Sequence, residues 1–500
     1  MKKRSEYPQF SANQWDGQCS GFGPNAHSRR EFLSRSYNGI GALALAGILA
    51  ERLGASPTLQ SPLAARAPHF PRKAKHCIFL FMSGGVSQMD TFDYKPALKE
   101  YAGRRVPKMT GFSGEIDGFL NTPHQVIPSP WEFKRAGKSG HHISTLFPHL
   151  SECVDDLAFI FGIEVDNNNH GPATLHVNTG SQFPGDPSVG AWITYGLGSS
   201  NRNLPGYVVI QDPRGAPING AAVRGSGYLP ASYQGTLFRS VGTPILDLKP
   251  PVRISRRQQR EEFDLLTWLN RRHQAGRPAA AELEARINAY ELAFRMQAEA
   301  PEVVDLSKES EVTKKMYGLD NPLTEAFGRQ CLLAKRLVQK GVRYSLVVHG
   351  VENGKSSWDD HGNIKGRLPR HCMEVDQPVA ALLKDLKREG LLEETLVVWA
   401  SEMGRTSFIN DLYGDKPGRD HNQYGLCMWL AGGDVKGGSR VGETDDFGIG
   451  QIGQPIHMRD VHATILNLLG LHDERLTYLH DGRFRRLTDI GGKVLDTIIA

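Results

Sequence analysis

Cys77-Ile-Phe-Leu-Phe-Met82, followed at once by Ser83-Gly84-Gly85, is the stretch that decides the fold. Six apolar residues in a row leave no polar face, so a strand made from them must be covered on both sides, as in a parallel sheet sandwiched by helices. Runs of the same kind recur at residues 207–210, 343–348, 395–400 and 426–431. Between several of them the apolar residues follow helical spacing, at 324–340, 370–388 and 458–469, the last with Asp460 as its cap. Alternating strand and helix predicts an α/β fold, a doubly wound and mostly parallel sheet flanked by helices. Residues 253–299 break the pattern. Two charged helical stretches, 255–272 and 278–298, meet at Gly276-Arg277-Pro278 and read as a helical hairpin inserted into the sheet domain.

The chain has 500 residues, of which 39% are hydrophobic and 23% charged, enough apolar material for a large core and too much for a disordered chain. The net charge of +5 is uneven: residues 1–67 hold eight Lys/Arg against four Asp/Glu, so the rest is close to neutral. A near-neutral body with no basic–aromatic block gives no reason to expect nucleic acid. Six cysteines, Cys19, Cys77, Cys153, Cys331, Cys372 and Cys427, form no Cys-x-x-Cys pair and read as small buried hydrophobes.

Ser28-Arg29-Arg30-Glu31-Phe32-Leu33 precedes an apolar run of eleven residues at 40–50. Twin arginines, then Phe-Leu, then a short apolar stretch make a twin-arginine export signal, and the run is too short to span a bilayer as a transmembrane domain. Residues 1–50 are therefore expected to be a signal region, 51–73 a linker and 74–500 the sheet domain. The translocase of that pathway is an expected partner, with the protein delivered to the periplasm or cell surface. Ala65-Arg66-Ala67 has the form of a cleavage site, but Pro68 hinders cutting, which leaves a tether by an uncleaved signal open.

In open α/β sheets ligands bind beyond the carboxyl ends of the strands. After the first run, Gly84 and Gly85 let the backbone approach a ligand, Ser83 and the glycines could contact an anion, and Asp90 could bind a metal. After residues 343–348 comes Trp358-Asp359-Asp360-His361, where carboxylate and imidazole can reach one cation. Beyond 395–400 stand Glu402 and Arg405, then Arg419, Asp420 and His421: an acid, guanidinium groups able to fork onto an oxyanion, and a second Asp–His pair. A separate segment runs from Asp166 through His170 and Pro172 to Thr179-Gly180; a helix starting there would aim N–H groups at an anion, while His176 reads as packing.

These motifs together, with Leu430-Ala-Gly-Gly433, Lys436-Gly-Gly438, Thr444-Asp445 and Asp460-Val-His-Ala-Thr464, resemble a bacterial family, domain of unknown function 1501, over about residues 28–490. That family is similar to a distant branch of the alkaline phosphatase and sulfatase superfamily, which implies an alkaline-phosphatase-like fold and hydrolysis of phosphate or sulfate esters at divalent metals. Aligned on Thr179-Gly180, the resemblance puts His170 at the sulfatase nucleophile, Pro172 at its proline and Thr174 at its arginine. Glu402-Met403-Gly404 falls on the superfamily's Asp-His-Gly, His421 on its last metal histidine, and Ser83 where the first strand normally ends in a metal aspartate.

The resemblance implies an exported hydrolase. His170, Glu402 and Arg405 would be catalytic: His170 as nucleophile or general acid, Glu402 as base or ligand, Arg405 on the ester oxyanion. Asp90, Asp359, Asp360, His361, Glu402 and His421 are the candidate ligands of a divalent ion (Zn, Ca, Mg or Mn), one ion rather than two. Ser83, Gly84, Gly85, Arg405 and Arg419 would meet the anion of a sulfated or phosphorylated small molecule or glycan. The alternative is a sulfatase-fold protein without catalysis that binds glycans or partners at the cell surface.

Overall fold

A computed structural model of the chain describes residues 62–105, 125–246, 248, 254–275, 281–352, 355–408 and 416–500. They fall in one unit, Ser61–Ala500. Its centre is a nine-stranded sheet of β1 (His76–Met82), β2 (Leu157–Glu164), β3 (Tyr207–Gln211), β4 (Thr236–Arg239), β5 (Tyr344–His349), β6 (Thr395–Ala400), β7 (Leu426–Ala431), β8 (Arg440–Val441) and β9 (Ile456–His457). The order is β8-β2-β7-β6-β1-β5-β3-β4, with β9 also on β2. β1 lies between β5 and β6, parallel to both, with Phe81 opposite Ala400 and Val348. The decisive run of the sequence is thus the central strand.

The period of two in β1 divides the core. Ile78, Leu80 and Met82 face one layer, under α5 (Glu325–Gln339) and α6 (Ile364–Arg388). Cys77, Phe79 and Phe81 face the other, under α1 (His170–Thr179), α2 (Val189–Leu197) and α7 (Met458–Leu468). The doubly wound, mostly parallel α/β architecture is therefore observed.

Four details differ from the sequence reading. β7 is antiparallel to both β6 and β2, so the chain leaves β6 and re-enters β7 at the same edge, and the excursion between them carries Glu402, Arg405 and His421. β2 was not foreseen, because Gly162, at φ 64°, interrupts its apolar run. α6 starts at Ile364, six residues earlier than the periodicity suggests, and contains Pro369 and Pro378, which read as breakers. The cap of α7 is His457; Asp460 sits three residues on and accepts the His457 N–H at 2.9 Å, a capping box.

The charged insertion is a helical pair, α3 (Arg256–Ala275) and α4 (Ala281–Val304). Met296, Ala300 and Val303 of α4 enter the core. Residues 62–73, the last part of the stretch expected to be a linker, lie against the domain. Ala64 bridges Ser199, the Arg66 N–H donates to Leu197 O at 2.9 Å, and His69 donates to Gly470 O at 2.8 Å. The twin-arginine segment, the start of that linker and Cys19 lie outside the described residues. The other five cysteines are buried and free, and no described helix is long and apolar enough to cross a membrane.

Candidate metal centre

The site forms where the loops after β1, β5 and β6 meet the first turn of α1. Gly84, at φ 128°, makes this meeting possible: a Cβ there would stand 2.5 Å from Asp359 N and 2.7 Å from the Trp358 carbonyl carbon. Only glycine lets the β1 loop touch the segment that carries Asp359 and His361. Asn169 caps α1, accepting the Gly171 N–H, and so fixes His170 as the first helical residue. His421 comes from a two-residue ribbon in which Arg405 pairs with His421.

These elements bring four of the sequence candidates together. His170, Asp359, His361 and His421 each direct one ligand atom into a space where all four atoms lie within 4.8 Å of one another. Nε2 of His170, His361 and His421 stands 3.2, 3.0 and 3.3 Å from Asp359 Oδ1. The Nε2 atoms of His361 and His421 are themselves 2.9 Å apart.

Behind the His170 ring, Nδ1 donates to Glu402 Oε1 at 2.8 Å. A carboxylate behind an imidazole fixes the proton on Nδ1 and leaves the Nε2 lone pair directed forward, the arrangement that metal-binding histidines favour. Behind His361, Asp420 Oδ1 lies 3.5 Å from Nδ1. His170 Nε2 is buried and makes no well-formed hydrogen bond. Burial alone would keep the His170 ring neutral, but Asp359 and Glu402 on either side outweigh it and raise its pKa to about 9. Burial lowers His421 to about 4, so that ring offers a lone pair rather than a proton. Burial opposes charge on Asp359, yet Arg405 and the three imidazoles hold its carboxyl far below the usual range. Three imidazole nitrogens and one ionised carboxylate facing a common point are donors that suit a divalent cation, which would displace the proton that Asp359 and Glu402 hold on His170.

The other candidates are placed differently. Glu402 is fully buried; its oxygens take the Gly84 N–H at 2.8 and 2.9 Å, the Ser401 hydroxyl and His170, so it holds the His170 ring and does not face the point where the four groups converge. Burial would raise its pKa, but the bonds from His170 and Gly84 lower it and keep it ionised. Arg405 is 1% exposed and its guanidinium is spent inside the protein. It donates to Gly84 O, Gly85 O, Arg419 O and, at 2.7 Å, Asp359 Oδ1, so no free edge remains for an ester oxyanion. Gly85 likewise gives its N–H to Ser401 Oγ, and Ser83 bonds Ser356.

Asp90 and Arg419 face each other instead of a ligand. Arg419 Nε is 2.6 Å from Asp90 Oδ2 and Nη2 is 3.1 Å from Oδ1, with both side chains buried. Removing one partner of such a buried fork leaves an uncompensated charge, at a cost of about 3–5 kcal/mol. Asp360 turns away to Arg367 at 2.7 Å, and burial raises its pKa to about 6.

A second histidine–aspartate group escaped the sequence reading. His457 Nε2 lies 2.8 Å from Asp166 Oδ1 and His176 Nε2 lies 3.6 Å from Asp166 Oδ2, beside a cavity of about 260 Å3. The signal was the box from His457 to Asp460, which puts an imidazole at the start of α7.

The family model described as a protein of unknown function, DUF1501, matches residues 74–499. The chain belongs to that family. No curated protein matches it. Among solved structures it is similar to Ps i-CgsB, solved with k-i-k-neocarrahexaose: 13% identity, 80% of this chain and 74% of that one covered, TM-score 0.35. The PsFucS1 sulfatase from Pseudoalteromonas sp. has 11% identity over 87% and 71% of the two chains, TM-score 0.30. The alkaline phosphatase from the Antarctic bacterium TAB5 has 9% identity over 80% and 99%, TM-score 0.33. The chemistry of this DUF1501 chain therefore has to be argued from its own residues.

Proposed function

We propose that the chain is an exported, metal-dependent hydrolase of sulfate or phosphate esters with one divalent ion. The observation that supports this most is the convergence of three imidazole Nε2 atoms on Asp359 Oδ1, with Glu402 behind His170. An ion held by His170, Asp359, His361 and His421 would stabilise charge on the transferring group. A nitrogen-rich donor set suits zinc or a similar transition ion better than calcium or magnesium.

The chain's own groups do the positioning. Glu402 fixes the His170 tautomer, and Arg405 ties Asp359 to the β1 loop. With a single carboxylate among the four ligand groups and Arg405 beside it, the mouth is electropositive once loaded, which favours an anionic ester of a small molecule or glycan. His170 is then a ligand, not a nucleophile. Export, the translocase as partner and a periplasmic or surface location rest on Ser28-Arg29-Arg30-Glu31-Phe32-Leu33 alone.

The second reading is a protein that keeps the ion and binds a sulfated or phosphorylated glycan without turnover; the absence of a free edge on Arg405 favours it. The test is hydrolysis of an aryl sulfate and an aryl phosphate by protein loaded with zinc, manganese, magnesium or calcium, beside His361→Ala. Metal-dependent turnover lost in the variant supports the hydrolase. Stoichiometric ion without turnover supports the binding protein, and no bound ion overturns both.

A further inference from the structure

The outer helix of the inserted pair has its apolar side turned the wrong way for packing within one chain. Toward α4 and the domain, α3 presents Gln259, Arg260, Phe263, Thr267 and Asn270, all half-buried. Only Phe263 among them is a large hydrophobe; Arg260 pairs with Glu291 at 3.0 Å and lies over the Phe294 ring. Away from the domain stand Leu265, Leu266, Trp268 and Leu269, exposed by 57, 47, 55 and 47%. At 100° per residue these four share one side of the helix, so they form a continuous patch rather than scattered surface residues.

The charges at the ends of the patch say what would cover it. Along the same stripe, Glu261 and Glu262 lie one turn before the leucines and Arg272 lies one turn after them. Arg272 sits over the Trp268 ring at 5.5 Å and has no carboxylate partner among the described residues. Glu261 meets only the exposed Arg257, a pair that contributes little. The stripe therefore reads acid, apolar, base from one end to the other. A copy of it laid antiparallel places base on acid at both ends and apolar on apolar between them. With the two-fold axis between Leu266 and Thr267, Leu265 meets the second copy's Trp268, and Glu261 meets its Arg272.

We infer that α3 is a homodimer contact, in which the outer faces of two copies pair antiparallel across a two-fold axis. Such a contact is isologous and closes on itself, so it yields a dimer rather than a filament. It goes beyond the proposed hydrolase and does not depend on it.

The experiment is sedimentation velocity on the purified full chain over a wide range of concentration. A reversible dimer is expected, reduced to monomer by Leu265→Asp with Leu269→Asp. Glu261→Arg and Arg272→Glu should each raise the dimer dissociation constant by about tenfold, and the double swap should restore it. These side chains are exposed, so an unchanged far-ultraviolet circular dichroism spectrum in every variant confirms that folding is untouched, whereas Tm falls with loss of the dimer. A wild type that stays monomeric overturns the inference, including one that instead binds anionic vesicles as a monomer. So does a dimer indifferent to the leucine and charge variants.

Discussion

Around Asp359 three imidazoles present Nε2 to a carboxylate oxygen; around Asp166 two do the same. Residue types and distances are nearly the same in the two groups, and the difference lies behind the rings. At Asp359 the rear atom of His170 faces Glu402, an acceptor, which draws the proton to Nδ1 and frees Nε2. At Asp166 the rear atoms face donors: His176 Nδ1 accepts the Asp166 backbone N–H at 3.1 Å, and His457 Nδ1 accepts the Arg459 N–H at 3.2 Å. A neutral imidazole that accepts at one nitrogen carries its proton on the other. His176 and His457 therefore turn N–H groups toward Asp166, His457 as a hydrogen bond at 2.8 Å, while at Asp359 the carboxylate behind His170 leaves Nε2 as the nitrogen a cation could take in place of a proton. On this reading the group around Asp359 is the candidate ligand set, and the group around Asp166 is a structural contact in which His457 ties the start of α7 to the loop after β2. Counting histidines and aspartates cannot separate them.

Metal content breaks or upholds that distinction most directly. Purified wild type should carry about one divalent ion per chain by elemental analysis. His421→Ala and His361→Ala should lose it, while His176→Ala and His457→Ala should keep it. Loss in His457→Ala with retention in His421→Ala would reverse the assignment. A smaller effect sharpens the same contrast: Glu402→Gln can still accept from Gly84 but holds His170 less firmly. Its ion affinity should fall by about 10–100-fold, read by competition with a chelator. An unchanged affinity would remove Glu402 from the account of why His170 is a ligand.

Much of the architecture was legible because burial on both faces of a strand forces a nearly continuous apolar run, unbroken at residues 77–82 in β1 and interrupted in β5 only by the small Ser345 before Leu346-Val347-Val348. The four groups that converge were each singled out in the sequence, Asp359, His361 and His421 as metal ligands because they follow strand ends, and His170, which opens a helix after a polar loop, as a nucleophile or acid. What the sequence hid is how charge is spent. Asp90 and Arg419 look alike whether they await a ligand or each other, and 329 residues separate the two halves of that fork. Arg405 looks like an oxyanion clamp until its three nitrogens are seen bonding Gly84, Gly85, Arg419 and Asp359. The direction of β7 was hidden for another reason: an apolar run buried on both faces reads the same in either direction.

The Asp166 group also leaves a mark on stability that a ligand set need not. Burial lowers the pKa of His176 to about 4 and that of its neighbour His462 to about 3, against 6.5 for an exposed ring. His462 is held neutral, with Nε2 on Val177 O at 2.9 Å. Between those values and 6.5 the unfolded chain binds more protons than the native one, so stability rises with pH there. The contribution is fully present above pH 6.5 and is lost as pH falls toward 4 and then 3. Denaturant midpoints should therefore drop on acidification through this window. His462→Gln, which keeps a donor for Val177 O and cannot take up a proton, should flatten the drop although it costs some stability at neutral pH. An equally steep drop in that variant would place the acid sensitivity elsewhere, with the ionised carboxylates around the Asp359 group as the next place to look.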